Sequence, residues 1–411
     1  MTTTDSPTGR RPRIRGRLRA GAAARPAVAY AFWAAMVGTT VPTPLYPLYQ
    51  QEFGFSPLMV TVIFAVYALG VVAGLLALGR LSDEIGRRPV IAVALLLAAG
   101  AAALFLAADG LPWILTARVL SGFSAALVTG GATAALLDLA PPQGRARAQS
   151  VAIVANMGGL ACGTLLAGVL AQWAGAPLRL PWVVTLALVA AALLALLVVP
   201  ETVAEPTGFR PRLQALRVPA EIRPAFLRAA LTAGSGFAVL GVLTAVTGLF
   251  LGTVLHLTNH ALTGLVVFTA FACTALGQFA ARALPPRRAL PAACAGLVLA
   301  AALVATALLA ETVAPLLAGA AVVGLATGVA VGDGLGVING GTPPQRRGEA
   351  VSTFFAILYT MLSVPVIGVG LLIQAAGLRT AGVVFSALVA LLAVGVAAGL
   401  PRAGRPERPG R

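Results

Sequence analysis

Two ionisable side chains lie well inside long apolar runs of the sequence, Arg118 in one run and Asp333 in another. If these runs cross a membrane, each charge costs about 2.5–3.5 kcal/mol on insertion scales, so residues of this kind usually serve a function. Arg118 lies about six residues, or roughly 9 Å, from the nearer end of its run, and a long side chain can reach water over that distance. Two interpretations of Arg118 are therefore open: it serves a function inside the membrane, or its side chain extends to the water at the membrane interface.

Asp333 lies about eight residues, or roughly 12 Å, from the nearer end of its run, too far for its short side chain to reach water. Glycines at 332, 334 and 336 leave room beside it for water or a small molecule. A carboxyl group in such a place can bind and release a proton, and we predict that Asp333 carries a coupling proton. The alternative is a structural carboxylate that accepts hydrogen bonds from a neighbouring Ser, Thr or backbone N–H.

The whole sequence is too apolar for a soluble protein. Of its 411 residues, 59% are hydrophobic and 10% are charged, whereas soluble domains have a charged fraction of about 25%. Apolar runs of about 20 residues, long enough to cross a bilayer as a helix, recur along the chain. The alternation that marks the strands of a membrane barrel is absent from the sequence. These features predict an all-α membrane protein that lies in a lipid bilayer.

Twelve such runs are present, and we predict twelve transmembrane helices. An even number of spans places both termini on the same side of the membrane. The predicted spans lie near residues 28–49, 58–79, 88–108, 112–138, 147–173, 178–199, 229–254, 261–281, 289–309, 314–339, 349–374 and 379–400.

These spans divide the chain into five predicted parts. Residues 1–27 form a flexible basic tail, and residues 28–199 form an N-terminal six-helix bundle. Residues 200–228 are charged and interrupted by prolines, so they are predicted to be a linker between the halves. Residues 229–400 form a C-terminal six-helix bundle, and residues 401–411 form a second tail.

The placement of arginine predicts the orientation of the chain. All 29 basic residues are Arg, and all but Arg118, Arg179 and Arg379 fall in the two tails and in the segments on their side of the membrane. Basic residues collect in cytoplasmic loops, so both termini and the linker are predicted to be cytoplasmic, in the inner (plasma) membrane of the cell. The same placement accounts for the net charge of +16, so no nucleic-acid partner is predicted.

An internal repeat relates the two halves at an offset of 202 residues, where Pro141-Pro142-Gln143 recurs as Pro343-Pro344-Gln345. Small residues recur at every fourth position in the fourth and tenth spans, just before these triplets. Such residues let helix backbones approach closely where no hydrophobic effect acts between helices. The two spans are therefore predicted to be tightly packed equivalents. The glycines assigned to this packing are Gly122, Gly130, Gly324, Gly328, Gly332 and Gly336.

A charged loop with two glycines joins the second and third spans, and it reads Gly-Arg-Leu-Ser-Asp-Glu-Ile-Gly-Arg-Arg from Gly79 to Arg88. It resembles the motif G-x-L-[AS]-D-[RK]-x-G-R-[RK] of the major facilitator superfamily. Glu84 is the departure, since the family usually has a base there. An ordinary basic turn would account for the arginines but not for the spacing of the glycines and the aspartate. The matching residues are Gly79, Leu81, Ser82, Asp83, Gly86, Arg87 and Arg88.

The resemblance implies a fold of two parallel six-helix repeats, with the substrate site between them near the membrane midplane. It also implies that the loop is a conformational latch. Asp138 would pair with Arg87 or Arg88. Asp83 would face the start of the eleventh span, near Glu349, and hold the halves together when the outside is open. The residues of the implied latch are Gly79, Asp83, Gly86, Arg87, Arg88 and Asp138.

The stretch Arg118-Val-Leu-Ser-Gly122 resembles the fourth-span signature R-x-x-x-G of proton-coupled members of this superfamily, notably drug antiporters. The resemblance implies that Arg118 takes part in proton coupling, together with Asp333.

The fifth span is an incomplete copy of another antiporter motif, G-x-x-x-G-P-x-x-G-G. It matches at Gly159, Gly163 and Gly168, but Thr164 replaces the proline and Ala167 replaces one glycine. The departure weakens the sequence argument for export.

The first span has an unusual run of prolines, Pro42, Pro44 and Pro47. Each proline leaves a backbone carbonyl without its helical partner, which is tolerated in a membrane only where the carbonyl faces a cavity or packed protein. Aromatic and polar residues here and in other spans are therefore candidates to line a substrate cavity, with a packing role as an equal alternative for each. They are Tyr46, Tyr49, Tyr67, Asn156, Gln278, Phe354, Phe355 and Tyr359.

No cofactor or metal is predicted, and no phosphate-binding loop indicates ATP drive. His256 and His260 are four residues apart, a spacing that can bind a metal on a helix, but the residues between them indicate a loop and no third ligand is near. Cys162, Cys273 and Cys294 all lie inside spans and are interpreted as small core residues.

We predict a monomeric secondary active transporter that works by alternating access and exports small amphipathic compounds in exchange for protons. The sparse charge of the predicted cavity disfavours highly charged substrates. A sugar or other small-solute permease of the same superfamily is the alternative. A membrane-embedded enzyme is a remote alternative, since the sequence has no clustered acids at a membrane face.

Overall fold

The computed structural model describes residues 12–203, 214–343 and 346–400. Over these residues the chain is helical and has no β-strand. Four segments that carry predictions lie outside the described residues: the tail up to residue 11, the middle of the linker at 204–213, the second Pro-Gln pair at 344–345, and the tail 401–411.

Long helices follow the predicted spans. Ten of them are α1 Pro12–Thr40, α2 Pro57–Leu78, α3 Arg87–Leu106, α4 Leu111–Asp138, α5 Arg145–Trp173, α6 Leu180–Ala195, α7 Arg223–Thr253, α8 His260–Ala283, α9 Pro286–Ala310 and α10 Val313–Gly341. A last helical stretch, Arg347–Ala398, is interrupted at Gly377, where φ is 81°. We name its parts α11 (347–376) and α12 (378–398). Short helices at Tyr46–Phe53 and Leu81–Glu84 and single turns at Thr43–Leu45, Pro142–Gly144, Leu196–Val198 and Ala220–Ile222 lie between the long ones.

Twelve segments of the described chain cross the membrane. Ten helices are long and apolar enough to do so by length and composition, and one of these is the 52-residue stretch Arg347–Ala398. At 1.5 Å per residue that stretch is roughly 78 Å long, more than twice the bilayer core, so it crosses twice about Gly377. The twelfth crossing is α1, which is less apolar but is buried or half-buried throughout residues 27–41. The prediction of twelve transmembrane helices is confirmed.

The first span differs from its prediction at both ends. α1 already begins at Pro12, so residues 12–27, predicted to be a flexible tail, are helical. Ala and Arg make up ten of these sixteen residues and favour helix, and proline is tolerated in a first turn. At the other end α1 stops at Thr40 rather than continuing to residue 49, because Pro42 cannot donate to the helical ladder.

The fourth and tenth spans pack in equivalent ways. Gly122 of α4 lies against the backbone of Tyr67 and Gly70 in α2. In the second half, Gly328 of α10 lies against the backbone of Thr274 and Gly277 in α8. Gly324 and Gly332 also lie against α8. A side chain at Gly122, Gly324 or Gly328 would collide with the neighbouring backbone, and one at Gly332 would collide with the Ala281 side chain. Close approach of this kind is what small residues permit in membrane helices.

Two glycines of the predicted stripe do not pack. No atom lies within 4 Å of the position that a Cβ would take at Gly130 or at Gly336. Their assignment to helix packing was wrong, because Gly130 and Gly336 lie about two turns beyond Gly122 and Gly328, where the crossing helices have diverged.

Helices α1–α6 and α7–α12 form two six-helix halves. Between the halves, α2 packs against α11 and α5 packs against α8. We call the membrane face that carries the connections after α2, α4, α6, α8 and α10 the basic face, because most loop arginines lie there. The other is called the opposite face. α1 is linked to α7 by its continuation, residues 43–53, at the opposite face.

Candidate functional site

One arginine and three tyrosines meet where α1, α2, α4 and α11 approach one another. Arg118 of α4 is 1% exposed, and its guanidinium carbon lies 4.7 Å from the centroid of the Tyr67 ring. The Tyr67 hydroxyl interacts with the hydroxyls of Thr39 and of Tyr359, and Tyr359 belongs to the other half. Tyr46 interacts electrostatically with Arg118. We call Arg118, Tyr46, Tyr67 and Tyr359 the tyrosine cluster.

The Arg118 side chain is held by backbone carbonyl groups. Its Nη1 donates to the carbonyl of Thr39 at 2.8 Å and its Nε donates to the carbonyl of Ile63 at 3.3 Å. Thr39 lies in the last turn of α1, where carbonyls lack helical partners and the helix dipole favours a cation. Arg118 is therefore buried within the N-terminal half and does not reach the membrane interface.

Tyr49 lies apart from the tyrosine cluster, although it follows Tyr46 by only three positions. Its hydroxyl accepts a 2.8 Å hydrogen bond from the indole nitrogen of Trp182 in α6. The Trp182 ring stacks on Phe105 with centroids 4.2 Å apart. The assignment of Tyr49 to the cavity was wrong, because the prolines after α1 turn this side chain into the packing between α1, α3 and α6.

Two phenylalanines proposed for the cavity also pack within a half. Phe354 has no exposed surface and covers Gly334. Its ring meets the Phe226 ring edge-on, with the ring centroids 5.9 Å apart. Phe355 lies 5.8 Å edge-on to Phe354. Phe354 is therefore a core residue of the second half and not a cavity residue, because the missing side chain of Gly334 lets its ring fill the gap.

The remaining two cavity candidates lie away from the tyrosine cluster. Gln278 is 8% exposed and its backbone packs on Gly328, so it belongs to the contact between α8 and α10. Asn156 of α5 is half-buried, and its Oδ1 is buried without a hydrogen-bond partner. Of the eight candidates, the structure brings together Tyr46, Tyr67 and Tyr359.

Asp333 lies in α10 and is half-buried. Among the described residues, no hydrogen bond or ion pair of its carboxyl group is found. The neighbouring Gly334 lies against Phe354 and Ala229. A structural carboxylate would show Ser, Thr or backbone donors around it, and none bonds to Asp333 within the described chain.

The loop after α2 is organised by Arg87. The guanidinium pairs with Asp83 at 2.5 Å and with Asp138 of α4 at 3.2 Å, and it donates to the Ser82 hydroxyl at 2.8 Å. Asp83 is 62% exposed and its ion pair lies within its own half. The loop therefore links α2, α3 and α4, and Asp83 is not paired with the start of α11 in this state.

Glu201 was not among the predicted site residues, yet it caps the start of α3. Its carboxylate accepts from the backbone N–H of Arg87 at 2.9 Å and of Arg88 at 3.1 Å. It also accepts from Thr202 and Val203, at 2.8 and 2.9 Å. Burial alone would raise the pKa of Glu201, but these four donors outweigh it and lower the pKa below its ordinary value.

Gly86 explains why Glu201 can approach so closely. Its φ of 111° turns the chain into α3, and a Cβ at this position would lie 2.6 Å from Glu201 Oε2. The glycine of the loop motif is thus required by both conformation and space.

The linker places a second unpredicted residue beside the loop. The backbone N–H of Gln214 donates to the carbonyl of Leu76, near the end of α2, at 2.7 Å. Its side chain lies between Gly79 and Gly348, at the start of α11. Gln214 therefore lies where the latch resemblance placed the contact between Asp83 and α11, and no feature of the charged, proline-interrupted linker indicated this contact.

The halves meet closely at the opposite face. Thr164 of α5 donates to the carbonyl of Gly264 in α8 at 3.1 Å. The backbone N–H of His260 donates to Gln172 Oε1 at 2.8 Å. Gly370 of α11 packs on Thr61 of α2. These contacts close the opposite face of the seam between the halves.

No metal centre is formed by the described residues, where no group of three or more His, Cys, Asp or Glu side chains could hold an ion. Cys162, Cys273 and Cys294 are free thiols.

Comparison with known proteins agrees with this architecture. The family model of the Major Facilitator Superfamily matches residues 28–365. Inner membrane transport protein YnfM of Escherichia coli (strain K12) is 43% identical over 56 residues, which are 14% of this chain and 13% of that protein. The sequence similarity to YnfM thus concerns a short segment of both proteins.

Solved structures with the same fold cover nearly the whole chain. A bacterial homolog of the human lysosomal transporter Spinster, inward-facing and unoccupied, has a TM-score of 0.72 and 17% identity, covering 95% of this chain and 98% of that one. The human organic anion transporter MFSD10 (TETRAN) has a TM-score of 0.64 and 18% identity, covering 92% of this chain and 99% of that one. The nucleoside transporter NupG has a TM-score of 0.69 and 12% identity, covering 91% of this chain and 99% of that one. At these identities the likeness concerns the fold.

Proposed function

The chain belongs to the major facilitator superfamily and is a multi-pass membrane transporter, not an enzyme; from that premise we propose that it exports small amphipathic compounds in exchange for protons. The observation that carries this proposal is the half-buried carboxyl of Asp333, which has no hydrogen bond or ion pair within the described residues. A membrane carboxyl that holds no structural bond is free to bind and release a proton. Ionisable residues within spans mark proton pathways in transporters.

The closed seam supports alternating access as the working cycle. The contacts described at the opposite face are one hydrogen bond from a hydroxyl group, one hydrogen bond from a backbone N–H, and packing at a glycine. Each of these contacts can break and re-form as the halves rock. In this state the cavity between the halves would open toward the basic face. The Arg87 pairs would hold the N-terminal half together as a body while the halves move.

Amphipathic substrates suit the walls of the seam. The tyrosine cluster offers hydroxyl groups and one positive charge, whereas the surrounding helix faces are apolar. The proteins of similar structure are described as transporters of different compounds, including organic anions and nucleosides. The substrate class therefore has to come from this chain's own residues.

Reconstitution tests the proposal. The purified chain is placed in vesicles with an imposed pH gradient, and a panel of small amphipathic compounds is screened for accumulation, while a pH-sensitive dye follows proton flux. We expect at least one compound to accumulate against its gradient and to dissipate the pH gradient. Transport that only runs downhill and leaves the pH unchanged would favour the permease alternative.

We also propose that the basic face is cytoplasmic and that the protein works as a monomer in the inner membrane. Basic residues near short loops set orientation in this way. Reporter domains fused after Arg411 and within residues 200–228 are expected to show a cytoplasmic location. A signal from the other side at either site would contradict this orientation.

A further inference from the structure

Arg118 carries a buried charge without a counter-ion. Among the buried residues that the structure describes, Arg118 is the one that carries a charge. Its partners are the carbonyls of Thr39 and Ile63 and the faces of Tyr67 and, at 5.9 Å, Phe64. The ion pairs found in the described chain lie at the two membrane faces and do not include Arg118.

Dipoles and rings compensate such a charge only in part. A buried ion without an opposite charge is costly, because carbonyl groups and aromatic faces return less than the water that was lost. The site would therefore gain most from a ligand that brings a single negative charge. A second negative charge would have no positive partner among these residues.

Tyr46, which interacts electrostatically with Arg118, provides a hydrogen-bond donor without a partner. It is 3% exposed. A buried phenolic hydroxyl normally finds a partner, so an orphaned one calls for an explanation. Tyr46 also lines a narrow recess between the halves.

The recess also has apolar walls. It is lined by α2 residues Val60 and Thr61 and by Ala245, Val246 and Leu249 of α7, so both halves contribute to it. An apolar group attached to an anion would lie against these side chains. The recess is narrow in this state because the halves meet there, and their separation would widen it.

We infer that Arg118 and Tyr46 form a subsite for the carboxylate of an organic monoanion, whose apolar part lies in the seam between the halves. The inference rests on the proposed function and names its substrate class. One carboxylate oxygen would accept from the Arg118 guanidinium and the other from the Tyr46 hydroxyl, because charge-assisted bonds of this kind are the strong ones. A purely structural Arg118, which only caps α1 through Thr39, would need no ligand.

A pair of probes separates these two roles. The detergent-solubilised full chain is titrated with 3-phenylpropionate and with 3-phenylpropanamide, which have nearly the same shape but differ in charge, and binding is measured by calorimetry. We expect the parent to bind the carboxylate at least about tenfold more tightly than the amide. Arg118→Gln is expected to reduce this preference to about one, and Arg118→Lys to keep part of it.

Tyr46→Phe keeps the test valid if Arg118→Gln fails to fold. It removes only the hydroxyl, and we expect it to lower the carboxylate preference several-fold without changing amide binding. Tyr30→Phe is the matched control, because the Tyr30 hydroxyl donates to Leu188 at 3.1 Å, outside the subsite. That control should leave the preference unchanged.

Three results would overturn the subsite: equal binding of both probes to the parent, no binding of either at millimolar concentration, or equal weakening of both by Tyr46→Phe. The transport assay keeps the two proposals separate. Coupled transport that ignores the charge of the compound would leave the proposed function intact and remove the subsite. A preference for the carboxylate in the binding assay, without coupled transport in vesicles, would support the subsite and contradict the proposed function.

Discussion

Thr164 of α5 and Gly264 of α8 join the two halves at the opposite face, where the Thr164 hydroxyl donates to the Gly264 carbonyl at 3.1 Å. The same hydroxyl lies 2.8 Å from the carbonyl of Ala161 in its own helix. Thr164 stands where the antiporter motif has proline, and a proline has no hydroxyl for this bond. The departure from the motif thus creates a link across the seam.

We predict that Gly264→Ala opens the opposite face. A Cβ at Gly264 would collide with the backbone of Thr164, and overpacking of this kind costs about 1–3 kcal/mol. Because the collision exists only when the halves are closed there, the population of the open state should rise by roughly 5- to 150-fold.

Labelling of Thr61→Cys measures this shift. Thr61 packs on Gly370 in the closed seam and is 1% exposed, so a thiol there should react with a polar maleimide only when the opposite face is open. Gly252→Ala is the matched control, since no atom lies within 4 Å of its Cβ position. Equal labelling rates in both variants would contradict a closure role for the Gly264 contact.

Helix positions and close packing could be predicted from the sequence, whereas side-chain direction after the prolines could not. Apolar length predicted the twelve spans, and the spacing of small residues predicted the packing at Gly122 and Gly328. Tyr46 and Tyr49 were indistinguishable in sequence. Pro42 and Pro44 redirect the chain between α1 and the short helix Tyr46–Phe53, and Pro47 lies in the first turn of that helix. As a result Tyr46 interacts with Arg118, whereas Tyr49 bonds to Trp182.

Contacts made by the linker were also beyond the sequence. Glu201 and Gln214 touch residues more than a hundred positions away, at the start of α3 and the end of α2. No periodicity marks such contacts, because each depends on where the two ends of the linker lie after the halves have packed.

Asp83→Asn is expected to lower transport while insertion and abundance stay unchanged. The pair with Arg87 is exposed on the Asp83 side, and exposed ion pairs contribute about 0–1 kcal/mol to stability. We propose that Asp83 instead biases the balance of inward and outward states, and a bias of about 1 kcal/mol changes that balance roughly fivefold. Asp109→Asn, in an exposed loop at the opposite face, is the control. Transport by Asp83→Asn equal to that of the control would show that the loop is only a turn.

Glu201→Gln is expected to lower the unfolding temperature in a pH-dependent way. The pKa of Glu201 is lowered in the folded protein, so its charged form stabilises the fold. This contribution is complete above the unfolded pKa of about 4.3 and is lost as the pH falls through the lower folded-state pKa.

Thermal unfolding of parent and variant in detergent, measured over a pH series, tests this sign. The difference between them should be largest above a pH of about 4.3 and shrink below it. Glu221→Gln provides the control, because Glu221 is exposed on the same side of the membrane. A difference that grows as the pH falls would contradict the cap.

Tyr49→Phe is expected to destabilise the N-terminal half without affecting ligand selectivity. The Trp182 indole N–H would lose its acceptor at 2.8 Å in a buried place, which costs about 1–3 kcal/mol. The unfolding temperature should fall more than in Tyr30→Phe, whose hydroxyl donates to a helix carbonyl. A changed preference between the carboxylate and amide probes would show that Tyr49 contacts the ligand after all.

Asp333→Asn is expected to abolish accumulation driven by a pH gradient while leaving substrate exchange across the vesicle membrane largely intact. The amide resembles the protonated carboxyl in shape and charge, so binding survives, but it cannot release a proton to either side. Loss of a structural residue would instead lower abundance and the unfolding temperature, since partners would be left unpaired. Vesicles of parent, Asp333→Asn and the control Asp109→Asn are compared for uptake under an imposed gradient and for exchange of labelled substrate without one. If Asp333→Asn concentrates substrate as well as the parent does, the proton uses another group or the carrier is a uniporter.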